Sequence, residues 1–298
     1  MVTNFSALPD YGFRRNSFVT PRGATMNFVD EGPRTAPAVL MLHGNPTWSF
    51  YYRRLVHALA TTRRCIAPDH IGMGLSEKPQ DYDYSLATRI ADVEALVASL
   101  GVKQLDLVVH DWGGAIGFGF AAKHPALIRR IVILNTAAFT IDLIPGRIAL
   151  CRAPLLGPLI VRGFNGFAGP AASMAMHRRK LTEAEQRGYL LPYDSWANRV
   201  AVSAFVQDIP MRPEHRSWAA LKAAEQGIAQ FQHHPVLIVW GGKDFCFDDR
   251  FLARWKNFLP QAAIHRIPDA GHYVLEDASE AVPLAAEFLS EPDQAGAL

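Results

Sequence analysis

Short unbroken apolar runs alternate with stretches of helical periodicity along most of this chain. Residues 13–20 and 25–29 read as two strands joined by the turn Pro21-Arg22-Gly23. Ala38–Leu42 is a continuous apolar strand, and residues 49–60 suit the helix after it. Arg64–Pro68 is another short strand, leading into a Gly-rich loop over residues 69–76. Ser85 N-caps a helix whose apolar positions 86, 90, 93, 96, 97 and 100 share one face, and Gly101 closes it. An apolar run from Leu105 breaks at His110-Asp111-Trp112-Gly113-Gly114, and residues 115–122 continue as a helix. Further strands follow at 131–134, 236–240 and 264–267, with helices at 251–259 and 278–289. Strands and helices that alternate in this way build βαβ units around a mostly parallel sheet.

The alternation stops between residues 140 and 232. That stretch is rich in Gly, Pro, Arg and Ala, and its local patterns are helical at 181–191, 196–205 and 218–229. The simplest organisation is a core in two parts, 1–139 and 233–298, with a helical cap inserted over 140–232. The cap carries eleven Lys or Arg against seven Asp or Glu, a solvated basic face. Its apolar run around residues 154–161 is compatible with a tunnel wall, a membrane contact or an interface between copies in a homo-oligomer.

Composition narrows the classes. The chain has 298 residues, enough for a full core, and is 49% hydrophobic and 19% charged, as ordinary globular proteins are. A formal net charge of +2 gives no pull toward nucleic acid. The three cysteines, Cys65, Cys151 and Cys246, are scattered and form no disulfide framework, which fits a reducing compartment. No His or Cys pair has the spacing of a zinc site, so neither a metal nor another cofactor is expected. The first ten residues lack a secretory pattern, and no apolar run is long enough to span a bilayer. The expectation is a cytoplasmic protein.

Chemistry concentrates at the break after residue 109. Strand, small-residue corner and helix form a nucleophile elbow, with Asp111 in the slot that serine fills in Gly-x-Ser-x-Gly. An aspartate is already anionic at neutral pH and can attack carbon directly, forming a covalent ester. The competing reading of Asp111 is a plain helix N-cap. Two other loops sit where ligands bind in open α/β sheets, beyond the carboxyl ends of the strands. His43-Gly44-Asn45-Pro46 supplies Asn45, whose backbone and side-chain N–H groups, with those of Trp112, would cradle a departing anion. Gly271-His272 follows the last strand and places His272 as the base. Asp244 is the first carboxylate after strand 236–240 and is preferred to Asp248 as the acid that orients His272. The alternative acid position, after the elbow helix and its strand, holds the neutral Asn135. His43 and His110 read as scaffold.

The motifs 43–48 and 110–114 resemble those of haloalkane dehalogenases of the α/β-hydrolase fold. Asn45 with Trp112 looks like their halide-binding pair, and Asn135 with Asp244 is similar to the first and third subfamilies, of which Asn45 favours the third. The segments 48–54, 68–74, 161–165, 192–199 and 270–277 also resemble bacterial β-lactone decarboxylases that form long-chain cis-alkenes. The resemblance implies an α/β-hydrolase core with a mostly parallel central sheet, flanked by helices and carrying an inserted helical cap. It implies hydrolysis of a carbon–halogen bond through an alkyl ester on Asp111, with a small hydrophobic substrate and a halide ion as ligands. The alternative is decarboxylation of a cis-dialkyl β-lactone. An epoxide hydrolase would require proton donors from the cap, for which Tyr189 and Tyr193 are available. A non-catalytic binding module of this fold is the rival from outside enzymology.

Overall fold

The computed structural model describes residues 8–142 and 144–291. Residues 1–7, on which much of the reading of the N-terminus rests, lie outside them. Eight strands form one sheet: β1 (Asn16–Val19), β2 (Thr25–Glu31), β3 (Ala38–Leu42), β4 (Arg64–Pro68), β5 (Leu105–Asp111), β6 (Ile128–Thr136), β7 (Val236–Gly241) and β8 (Ala263–Ile267). Their spatial order is β1-β2-β4-β3-β5-β6-β7-β8. β2 runs antiparallel to β1 and β4, and every other pairing is parallel. The fold is that of an α/β hydrolase.

Strands β3, β4, β5 and β7 are buried at every residue, because helices cover both faces of the sheet. This explains the unbroken apolar runs of β3 and β7, while β4 and β5 bury Arg64, Asp106 and His110 among their apolar residues. Around them lie α1 (Arg53–Leu59), entered through a 3-10 turn at Ser49–Tyr52, α2 (Leu86–Ser99) and α3 (Trp112–Lys123). The Ser85 side chain caps α2 by accepting the Thr88 N–H at 3.3 Å, and Gly101 follows that helix with φ +65°.

Between β6 and β7 the chain is helical. In order come α4 (Gly146–Arg152), the single turn α5 (Leu156–Pro158) running into a π-helical turn at Leu159–Gly163, and α6 (Ala168–Met174). Then follow α7 (Glu183–Leu190), α8 (Val200–Gln207) and α9 (Trp218–Gly227). The sequence reading anticipated α7 to α9 but no helix before residue 181, where Gly and Pro dilute the periodicity. The last core helices are α10 (Asp249–Phe258), the short α11 (Val274–Asp277), which the periodicity does not predict, and α12 (Ala281–Ser290), which corresponds to the predicted helix at 278–289. Among the described residues no helix is long and apolar enough to cross a membrane.

A buried ion network ties this insertion to the core. Arg53 is fully buried, pairs with Glu276 of α11 and donates to the Phe50 carbonyl at 3.0 Å. Glu185 of α7 lies 3.6 Å from Arg53 and is also bound by Arg54 and Arg179. Breaking a buried pair leaves an uncompensated charge, which costs about 3–5 kcal/mol. Arg53→Ala is therefore expected to lose about 3–5 kcal/mol of unfolding free energy, read from urea denaturation curves against the parent protein.

Candidate active site

Strand β5 carries Asp111 to the carboxyl edge of the sheet, and α3 begins at the next residue. Asp111 adopts φ 52° and ψ −125°, a conformation few residues with a side chain take. Small neighbours make room for the corner. A Cβ on Gly44 would overlap the Asp111 carboxylate, one on Gly113 the Leu42 carbonyl, and one on Gly114 the Thr136 hydroxyl. The Thr136 hydroxyl in turn donates to the Asp111 carbonyl.

Asp111 occupies the N-cap position of α3, yet its side chain makes no capping hydrogen bond. Its Oδ1 accepts the Asn45 backbone N–H at 2.6 Å, and its Oδ2 lies 3.7 Å from His272 Nε2. His272 Nδ1 bonds Asp244 Oδ2 at 2.7 Å, and Asp244 Oδ1 accepts the Cys246 N–H at 2.7 Å. Asp248 does something else: it caps α10 by accepting the Arg250 N–H at 2.9 Å. Asn135, at the other possible acid position, clamps β6 to β7 by donating to the Gly241 carbonyl at 3.0 Å and accepting its N–H at 2.7 Å. The structure thus brings Asp111, His272 and Asp244 into one line.

Burial drives the Asp111 carboxyl above its ordinary pKa, against the opposing pull of His272 and of the backbone N–H groups of Asn45 and Trp112. Burial alone would lower His272, but the Asp244 and Asp111 carboxylates outweigh it, and the imidazole is raised above its usual value. The other buried histidines nearby go the opposite way. His43 is lowered to about 4 by burial, and His70 and His110 are lowered as well, for the same first reason. They act as neutral hydrogen-bonding parts. His43 Nε2 accepts the His70 N–H at 3.1 Å, and His110 Nε2 meets the His272 carbonyl at 3.0 Å while its ring stacks on Tyr51.

Asn45 and Trp112 both line the cavity that opens in front of Asp111. The Asn45 amide nitrogen donates to the Val202 carbonyl of α8 at 3.0 Å, so one of its two N–H bonds points into the insertion rather than toward a ligand. Trp112 packs edge-on against Phe205, with the Arg89 guanidinium 5.0 Å from its ring. The cavity encloses about 980 Å³, part of it open to solvent, and also receives Asp111 and His272. Its walls are apolar, with Phe139, Ile148, Phe167, Leu221 and Phe247 among them.

Two contacts of the site were beyond reading from the sequence. Asp277 accepts the Gly271 N–H at 2.6 Å and the His177 N–H at 2.8 Å, which ties the His272 loop to the insertion. Val202, which holds Asn45, lies 157 residues away along the chain. Val202 belongs to no motif, and Asp277, which ends the segment 270–277, carries no sign of this contact in its residue type. Tyr189 and Tyr193 do not reach the cavity: Tyr189 donates to Glu276 at 2.8 Å, and the Tyr193 hydroxyl contacts the Gly74 N–H at 3.3 Å and the Thr47 carbonyl at 3.4 Å. The proton donors that an epoxide hydrolase needs are therefore not supplied by these residues.

Comparison with known proteins agrees with this architecture. A cis-3-alkyl-4-alkyloxetan-2-one decarboxylase of Shewanella oneidensis is 48% identical over 91% of this chain and 86% of its own. One from Xanthomonas campestris is 43% identical over 94% of this chain and 97% of its own. Haloalkane dehalogenase 2 of Mycobacterium tuberculosis stands further off, at 28% identity over 96% of this chain and 98% of its own. Among solved structures, haloalkane dehalogenase DbeA from Bradyrhizobium elkani superposes with a TM-score of 0.84 at 28% identity, covering 93% of this chain and 97% of that one. The model of the alpha/beta hydrolase fold matches residues 37–151 and 154–279, and the chain belongs to the α/β-hydrolase family.

Proposed function

We propose that this protein decarboxylates cis-3,4-dialkyl β-lactones to alkenes, with Asp111 as nucleophile and the helical insertion as the cap over the cavity. The observation that carries the choice of reaction is the gap in similarity: 48% and 43% identity to two decarboxylases of such lactones, against 28% to the dehalogenase. The order given by the motifs alone, with carbon–halogen hydrolysis first, is thereby reversed.

The site supports the chemistry step by step. An Asp111 oxygen attacks the ring carbon that bears the lactone oxygen; a C–O bond to Asp111 forms, the ring C–O bond breaks, and a free carboxylate remains on the neighbouring carbon. That carboxylate then leaves as carbon dioxide. Its bonding pair becomes the new carbon–carbon double bond, and the ester C–O bond breaks to return the Asp111 carboxylate. No water is consumed and no proton is moved. Attack inverts the ring carbon, and loss of the two groups from opposite faces restores the original relation of the alkyl chains, so a cis lactone gives a cis alkene. The Asn45 and Trp112 backbone N–H groups stabilise the negative charge whenever it resides on Asp111. His272, whose pKa the Asp244 and Asp111 carboxylates raise against burial, faces the carboxylate released from the ring.

Dehalogenation is retained as a second reading because Asn45 and Trp112 flank Asp111 in the same cavity. Here halide leaves, and His272 in its neutral form activates water to hydrolyse the ester at the Asp111 carbonyl carbon. The two reactions differ in which bond breaks to free Asp111. In water enriched in oxygen-18, turnover of a cis-dialkyl β-lactone is expected to yield alkene and leave the Asp111 peptide unlabelled by mass spectrometry. Turnover of 1,2-dibromoethane by the hydrolytic route would label it. Bromide release from 1,2-dibromoethane with no alkene from the lactone would sink the decarboxylase reading.

Two substitutions test the roles. Asp111→Asn is expected to lower alkene formation by about 10⁴-fold or more, as loss of a nucleophile does, with the thermal melt showing a folded protein. Asp244→Asn removes the main carboxylate that raises His272, so the imidazole midpoint should fall, as followed by nitrogen-15 NMR of the ring. The raised His272 stays protonated to higher pH than a free histidine, and the variant loses that margin from the alkaline side downward.

A further inference from the structure

We infer that the outer face of the insertion, from α4 to the π-helical turn, docks this protein onto an anionic lipid bilayer. Large apolar side chains are turned outward there: Leu155 is 90% exposed and Phe164 78%, with Leu150, Leu156 and Leu159 about half exposed beside them in sequence. A run of exposed large hydrophobics this dense marks an interaction surface rather than scattered surface leucines. Leu155 is held in its exposed position by the backbone. It sits at φ 64° and ψ −51°, and the Leu156 N–H closes a tight turn on the Pro154 carbonyl at 2.6 Å. This is a γ-turn of the strained, positive-φ kind.

Charge singles out the partner. No acidic residue occurs between Asp142 and Glu183 in the sequence. Arg147 and Arg162 of this face bind a Met sulfur and Trp196 with Gln80, and among the described residues neither has an ion pair. Arg162 also lies over the half-exposed Trp196, 4.6 Å from its ring centre, and a tryptophan beside a cation suits the water–lipid boundary. Apolar side chains flanked by unpaired arginines match acyl chains beneath anionic headgroups. The same helix reaches the cavity, since Ile148 of α4 lines it while Leu150 faces out. Under the proposed function the substrate carries two alkyl chains and partitions into lipid, so a bilayer at this face lies next to its supply.

The test uses the full chain with vesicles and no substrate, so its result is independent of whether the lactone reaction is correct. The protein is expected to co-sediment with phosphatidylcholine vesicles containing phosphatidylglycerol, more weakly with phosphatidylcholine alone, and less as salt rises. Leu155→Ser/Phe164→Ser should bind the anionic vesicles at least tenfold less while keeping the parent thermal midpoint. Absence of sedimentation with anionic vesicles overturns the proposal, as does equal binding by the double variant. A parent protein that ignores vesicles but self-associates, with the variant monomeric, would assign the face to a second copy instead.

Discussion

The left-handed backbone of Asp111 is the constraint on which the site depends. A residue at φ 52° turns the chain sharply enough to stop β5 and start α3 without a linker, leaving the carboxylate on the outside of the corner. Such a conformation persists only where the surroundings over-determine it. Here Gly44, Gly113 and Gly114 leave no room for a Cβ against Asp111, β3 and β6 respectively, and Thr136 holds the carbonyl of the corner itself. The glycines of both motifs are thus explained by the approach of three strands to one peptide.

Fixing a carboxylate in a buried corner sets the electrostatics of everything around it. Burial opposes its ionisation, and the backbone N–H of Asn45 together with His272 opposes burial. The rings packed nearby, His43, His70 and His110, are pushed toward the neutral form, so they add hydrogen bonds without adding charge. His272 differs because two carboxylates face it, one on each ring nitrogen. The contrast between four buried histidines comes from where the carboxylates lie, not from depth.

The same logic separates what the sequence reveals from what it hides. Strands β3 and β7 announce themselves because complete burial makes them uniformly apolar. The residues 111, 244 and 272 could be picked out because a strand end in this fold has a fixed geometric meaning: Asp111 ends β5, and Asp244 and His272 lie three and five residues beyond β7 and β8. The segment 146–174 gave no helical signal, since small residues and prolines form its short turns and what shapes them is contact with the core. The Asn45 amide shows the limit. Its residue type suggested two free donors, whereas Val202, distant in sequence, takes one of them. Composition cannot reveal a partner supplied by tertiary packing.

Which of two reactions an ester-forming corner of this kind can run comes down to what sits on the carbon beside the ester. Halide, once expelled, diffuses away, and the alkyl ester that remains has no internal way to break, so water must be admitted and activated by a neutral His272. A β-lactone leaves its carboxylate attached to the neighbouring carbon. The ester can then fragment from within, and water becomes a competitor to be kept out. An apolar cavity with few polar groups near Asp111 favours the second outcome. So does a His272 raised toward its charged form, because an imidazolium cannot accept a proton from water. Both properties disfavour hydrolysis of the ester, whereas its fragmentation needs neither water nor a proton acceptor. The fate of an ester on Asp111 is thus set by what surrounds it as much as by the nucleophile.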